Sequence, residues 1–181
     1  MTVVKDLKKE LGPGLFRSMC RDLNIDAREL WGGEYMSMFA FSYPATFRRD
    51  EDSRPVVSFP DFPHAHTDGK DMREAMEEAI DCLGSVIAHA IAEKLDIPAP
   101  SAPKRGQRLV PVPLWIAGKL ALYLAMRERG MNNSELARRL GVRETIVRRM
   151  LDPGHATKTE KLQTAMEVLG KRFVVTVEDA A

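Results

Sequence analysis

The stretch that most constrains this chain is Asn132 to Leu151, NNSELARRLGVRETIVRRML. Asn133 or Ser134 is placed to cap a first helix, because a short polar side chain accepts a hydrogen bond from the free amides of a first turn. Leu136, Ala137 and Leu140 then share one face, at the spacing that 3.6 residues per turn requires. Gly141 follows, the residue type that takes a left-handed backbone at least cost and so ends a helix. Val142 is expected to plug the corner. Arg143 opens a second helix with Val147, Met150 and Leu151 as its buried stripe, and Ala137 is small enough for two helices to cross closely over it. The outward side of the second helix carries Arg143, Glu144, Thr145 and Arg148. Those are donors and acceptors where a recognition helix presents its first turns to base edges. An ordinary helical hairpin would satisfy the stripe alone. Small residue, glycine and stripe together favour a helix-turn-helix that reads DNA. Ser134, His155, Thr157 and Lys158 are candidates for phosphate contact, since helices starting at Ser134 and Lys158 point free amides outward. Arg138, Arg139 and Arg149 read as general basic surface.

Charge divides the 181 residues unevenly although the net value is +1. Met36 to Pro100 holds six Lys or Arg against twelve Asp or Glu, whereas Pro113 to Glu178 holds twelve against seven. The basic part suits phosphate, whose counterions it releases on binding. The acidic part would repel nucleic acid and suits a basic protein, so two partners of opposite charge are expected. No apolar run is long enough to span a bilayer and no signal-peptide pattern is visible, which makes the cytoplasm the expected location and a membrane partner unexpected. Cys20 and Cys82 stand alone, as structural thiols in a reducing compartment would.

Along the chain, the segment Met1 to Gly33 holds a short helix that opens at Pro13, with Leu15, Phe16, Met19 and Leu23 on its stripe, and ends at Gly32-Gly33. From Met36, Phe39, Phe41, Tyr43, Ala45 and Phe47 alternate as in a strand. RRDEDSRP makes a charged turn, Val56 to Phe59 a second strand ended by Pro60 and Pro63, and His64 to Gly69 a short third strand and turn. Asp71 caps a long helix, with Glu74 three residues on as a capping box. Its stripe runs Met72, Ala75, Met76, Ala79, Ile80, Leu83, Val86, Ile87, Ala90 and Ile91, and such a β-β-β-α unit ordinarily needs one more strand. Residues 97–112 are proline-rich and read as a stiff linker, with Leu109 to Val112 the alternative strand. Pro113 opens a helix to about Arg129 with Leu114, Ala117, Leu120, Ala121, Leu124 and Ala125 inside. A further helix covers Lys158 to Leu169, and Arg172 to Val177 alternates like a strand. That strand has few partners within its own domain, so pairing with a second copy is expected, giving the homodimer that palindromic operators require.

YPATFRRDEDSRPVVSFPDFPHAHTDG and the capped helix after it, followed by PVPLWIAGKLALYLAMRERGMNNSELARRLGV, resemble the HicB antitoxins of bacterial type II toxin–antitoxin systems, over about Met36 to Val177. The resemblance implies an α+β chain: a small, partial ribonuclease-H-like sheet with one long helix and no nuclease activity, plus a helical helix-turn-helix domain ending in a strand. It implies domains at 36–96 for binding a small basic ribonuclease toxin, HicA, and at 113–178 for operator binding and dimerisation or higher self-association. It also implies repression of the toxin–antitoxin operon, and no enzyme, cofactor or metal. Residues 1–35 depart from that family, and TVVKDLKKELGPGLFRSMCRDLNI is itself similar to the carboxy-terminal strand and helix of HicA toxins without their catalytic histidine. A toxin remnant and an unrelated extension both stay open there.

Rival readings are a stand-alone regulator whose first domain senses a small molecule or is degenerate, and a nuclease using Asp50, Asp52 and Asp61. His64 and His66, two apart on a strand, face the same way but lack the third and fourth ligands a metal needs. Two of the three aspartates fall in the charged turn, where solvation accounts for them, and no catalytic triad or phosphate loop is visible.

Overall fold

The computed structural model describes residues 41–174. The elements there are β1 (Ser42–Arg49), β2 (Pro55–Phe59), β3 (Phe62–Asp68), α1 (Met72–Ala92), β4 (Gln107–Pro111), α2 (Leu114–Glu128), α3 (Asn133–Leu140), α4 (Glu144–Leu151) and α5 (Thr159–Val168). The chain is therefore α+β, with one four-stranded antiparallel sheet and five helices among the described residues. Sheet order is β3-β2-β1-β4. Alternation buries Tyr43 and Ala45 on β1, Val57 and Phe59 on β2 and Val110 on β4, because successive strand side chains point to opposite faces. Pro63, expected to end a strand, lies inside β3. An edge strand tolerates it, since one row of its amides bonds nothing in the sheet.

The charged turn closes on Asp50, whose carboxylate accepts from the amides of Asp52 (3.0 Å) and Arg54 (2.8 Å). Gln107–Pro111 pairs with β1, Tyr43 opposite Val110. The second half of the expected linker is thus a sheet strand, and it supplies the further strand that the β-β-β-α unit needs. Burial of Val110 at the otherwise open edge of β1 outweighs the proline-rich context.

Asp71 Oδ1 caps α1 by accepting from the amides of Arg73 (3.0 Å) and Glu74 (2.9 Å). Glu74 reaches back to the amide of Lys70 at 2.6 Å, one residue before the cap rather than to the cap itself. Ala75, Ala79, Leu83, Ile87, Ala90 and Ile91 bury the expected stripe against the sheet.

α2 packs against α1, α4 and α5. One continuous cluster joins Tyr43, Phe59, Leu83 and Ile87 to Ile116, Leu120 and Tyr123 of this helix. The expected inner face was displaced at its start: Leu114 is 89% exposed and Ile116 fully buried. A helix clothed on opposite sides is apolar nearly all round, so a single-stripe pattern does not fix its orientation. Three bonds tie the segment just after α1 to α2: the Tyr123 hydroxyl donates to Leu95 O at 2.7 Å, and Arg127 donates to Lys94 O at 3.3 Å and to the Asp96 carboxylate.

Arg172, Phe173 and Val174 form no strand in this chain. Phe173 instead turns its ring toward Gly118 and donates its amide to Gln163 Oε1 at 3.1 Å. The remainder of the expected terminal strand, Phe39 and the segment Met1–Gly33 lie outside the described residues. No described helix is long and apolar enough to cross a membrane.

Candidate nucleic-acid interface

The cap of α3 is Asn132, not Asn133 or Ser134: its Oδ1 accepts from the amide of Glu135 at 2.9 Å. The position three residues before the first bondable amide is the one that matters, and a run of three short polar residues left the choice among them open. Glu135 is then shared by Arg139 (2.9 Å) and Arg138 (3.1 Å from Nε), and those bonds hold its carboxyl below the usual range. Arg138 and Arg139 are thereby matched to a carboxylate of their own helix.

Gly141 ends α3 at φ 67, ψ 28. Val142 donates its amide to Ala137 O at 3.0 Å and Gly141 to Arg138 O at 3.3 Å, the paired closure of a left-handed helix end. The Val142 side chain does not plug the corner; it is 39% exposed, whereas Leu136 and Ala137 are buried. Arg143 precedes α4 as its cap residue, and Val147 and Met150 are buried beneath it with Leu151 half-buried.

What remains outside on α4 is Arg143, Thr145, Arg148 and Arg149, with Glu144 half-buried and paired to Arg148 at 3.9 Å. Two hollows flank the helix. On one side, Glu144 and Arg148 line a cleft with Ser134, Lys94 and Tyr123. On the other, Arg149 lines a smaller hollow with His155, Thr157, Lys158 and Lys161. The eight sequence-derived candidates thus gather about one short helix, with Ser134, Glu144 and Arg148 on one flank, His155, Thr157 and Lys158 on the other, and Arg143 and Thr145 at its leading end. The Thr157 hydroxyl donates to Arg149 O at 3.2 Å, which commits its one proton within the chain.

Sequence reasoning missed Lys119. It is 4% exposed on α2, and its ammonium donates to the carbonyls of Asp152 and of His155, the latter at 2.5 Å. Burial pushes its pKa down, partly offset by the Asp152 carboxylate. The available signal was a lysine three residues from Ile116 in a run otherwise without charge from Leu114 to Met126. Lys161 and Arg149 also gain significance from the hollow they share.

Elsewhere, His64 and His66 are exposed on the edge strand, and among the described residues no three His, Cys, Asp or Glu converge as metal ligands would. Asp61 accepts from the Ser101 amide at 3.0 Å, so it fastens the segment leading to β4. Burial pushes the Cys82 thiol up, away from the range of an activated nucleophile.

Residues 42–121, the sheet with α1, β4 and the first half of α2, match the family model described as a HicB-like antitoxin of bacterial toxin–antitoxin systems. Antitoxin HicB 2 of Photorhabdus laumondii is 36% identical over 131 residues, covering 72% of this chain and 92% of the relative. Antitoxin HicB of Escherichia coli strain K12 is 35% identical over 131 residues, with 72% and 95% covered. That of Pseudomonas fluorescens is 31% identical over 132 residues, with 72% and 90% covered. With identity of this level running over nearly the whole length of each relative, the chain belongs to the HicB antitoxins, a family that is not enzymatic.

Proposed function

We propose that this protein neutralises a HicA-type ribonuclease toxin by covering it, and represses its own operon by binding operator DNA. Residues 36–96, a partial ribonuclease-H-like unit, take the toxin. Residues 113–178 form a helix-turn-helix domain that acts in the cytoplasm as a homodimer or higher homo-oligomer. The observation that carries the reading is the pair α3 and α4, joined through left-handed Gly141 with the basic side of α4 left open, in one chain with the sheet matched by the antitoxin family. Arg143, Glu144, Thr145 and Arg148 contact base edges, and Ser134, His155 and Lys158 the backbone, while Thr157, expected as a backbone contact, gives its hydroxyl proton to Arg149 O and holds the loop on that flank. The acidic balance of Met36 to Pro100, six basic against twelve acidic residues, suits a basic toxin. Asp50 and Asp61 are spent on backbone amides, which supports neutralisation without catalysis.

The test has two arms. Affinity capture from the source cell, with partners identified by mass, should recover a small basic protein at near one-to-one ratio; recovery of none, with DNA binding intact, favours the stand-alone regulator. On DNA from the region upstream of its gene, Arg148→Ala should weaken binding by about 1–3 kcal/mol, as loss of a bidentate base contact does. An equal loss on unrelated duplex would remove Arg148 from the base-reading set.

A further inference from the structure

A phosphate beside the carboxy-terminal end of α4 meets an electrostatic obstacle. The last carbonyls of a helix carry its partial negative charge. Yet the hollow at that end of α4 gathers Arg149, His155, Lys158 and Lys161 and no carboxylate residue. None of Arg149, Lys158 and Lys161 has an acidic partner among the described residues, whereas Arg138, Arg139 and Arg148 each do. The carbonyls there are engaged within the chain. Arg149 O accepts from Thr157, Asp152 O from Lys119 and from the His155 amide (3.1 Å), and His155 O from Lys119. A buried ammonium thus sits behind the loop and draws in the oxygens that would otherwise repel an anion.

We infer that the hollow between α4 and α5 seats a backbone phosphate of bound DNA through Arg149 and Lys161, with Lys119 as the positioning residue that makes the loop at 152–157 receptive. The inference rests on the DNA-binding reading above and extends it to three residues outside the expected contact set. A duplex backbone is the occupant because this hollow adjoins the open side of α4, and a helix lying in the major groove has a sugar-phosphate strand along its flank. Lys119 itself touches no DNA. Its part is to fix the two carbonyls inward, so that Lys158 and His155 stand on a loop with one geometry.

The experiment measures binding of the full chain to a duplex from its own upstream region, and to a scrambled duplex, across a salt series. Arg149→Gln and Lys161→Gln, both exposed changes, should each lower the slope of log affinity against log salt by about one. At 0.1 M salt that is a loss of about eightfold, equal on both duplexes. Lys119→Met, which keeps the stem and removes the cation, should lower the slope similarly while far-UV circular dichroism stays that of the parent; a change of stability with an unchanged slope assigns Lys119 a purely structural role and overturns its part. Should Lys119→Met fail to fold, the two glutamine variants decide. Unchanged slopes in both, in a protein that binds its own duplex, overturn the phosphate site. Failure of the parent to bind any duplex overturns the DNA-binding reading instead.

Discussion

Two glycines inside helices make a matched experiment on how α1 meets α2. Gly84 lies within α1, and a methyl group added there would stand 2.7 Å from Pro113 Cγ and 3.0 Å from Trp115 Cζ2. Gly118 lies within α2, where the nearest side-chain atom to an added methyl is Leu162 Cδ1 at 3.0 Å. Alanine is favoured over glycine in a helix interior by about 0.8–1.0 kcal/mol, and that gain is common to both. The neighbours differ. Leu162 Cδ1 is the free end of a rotatable side chain and can withdraw by a few tenths of an ångström. Pro113 is a closed ring whose carbonyl accepts the amides of Ile116 and Ala117, both at 3.1 Å, so it moves only if α2 moves. Overpacking against a neighbour that cannot yield costs about 1–3 kcal/mol. Gly84→Ala should therefore destabilise by about 1 kcal/mol net, and Gly118→Ala should be neutral or stabilising by up to about 1 kcal/mol. For a chain of this size each kcal/mol moves the melting temperature by about 2–4 °C. Thermal and urea unfolding followed by far-UV circular dichroism would separate the two. A Gly84→Ala protein that melts at or above the parent would refute a fixed contact between α1 and the start of α2.

Titration should expose two further groups. The amides of Glu74 and Arg73 hold the Asp71 carboxyl below its ordinary value of 3.8, so its stabilising part is present above that value and is lost as pH falls below it. Asp71→Asn keeps an acceptor for the cap but cannot titrate, and its melting temperature should fall less steeply than the parent's below pH 4; parallel acid profiles would contradict the cap's charge dependence. The Tyr43 phenol donates to Pro98 O at 2.8 Å, and burial, with the Asp61 charge second, pushes its pKa up to about 12. Its folded pKa lies above the ordinary 10.0, so its contribution is whole below pH 10 and is lost as pH rises toward 12. Ultraviolet difference titration of the parent against Tyr43→Phe should show the missing phenol ionising late, and a loss of amplitude near pH 10 would refute its burial.

Local chemistry was the most legible part of the sequence. Asp71 and Gly141 stand where a cap and a left-handed helix end require them, because both effects are decided within one turn. Tyr43 and Ala45 declared their face by alternation. Long-range choices were less visible. Leu109 to Val112 stood open between linker and strand, and the choice rested on the unpaired edge of β1, more than sixty residues back along the chain. Leu114 and Ile116 differ by two positions in a helix apolar on most sides, so only the packing of α1 against Gly84 decides which turns inward. Arg143, Thr145 and Arg148 stand outward as expected because a short helix at known spacing fixes its own outward side. Lys119 escaped notice because its partners are backbone carbonyls more than thirty residues away, and carbonyls leave no mark in a sequence.

The cluster that joins the sheet to α2 has a thermodynamic consequence. Ile116, Leu120 and Tyr123 lie in the same buried group as Tyr43 and Leu83, so the sheet cannot melt while the helices keep that surface dry. A molecule held at one end therefore guards the whole. A ligand present at a hundred times its dissociation constant adds about 2.7 kcal/mol against global opening, and with one core that increment protects residues far from the point of attachment. Protease resistance measured at the sheet would then report occupancy of α4, and resistance at α5 would report occupancy of the sheet.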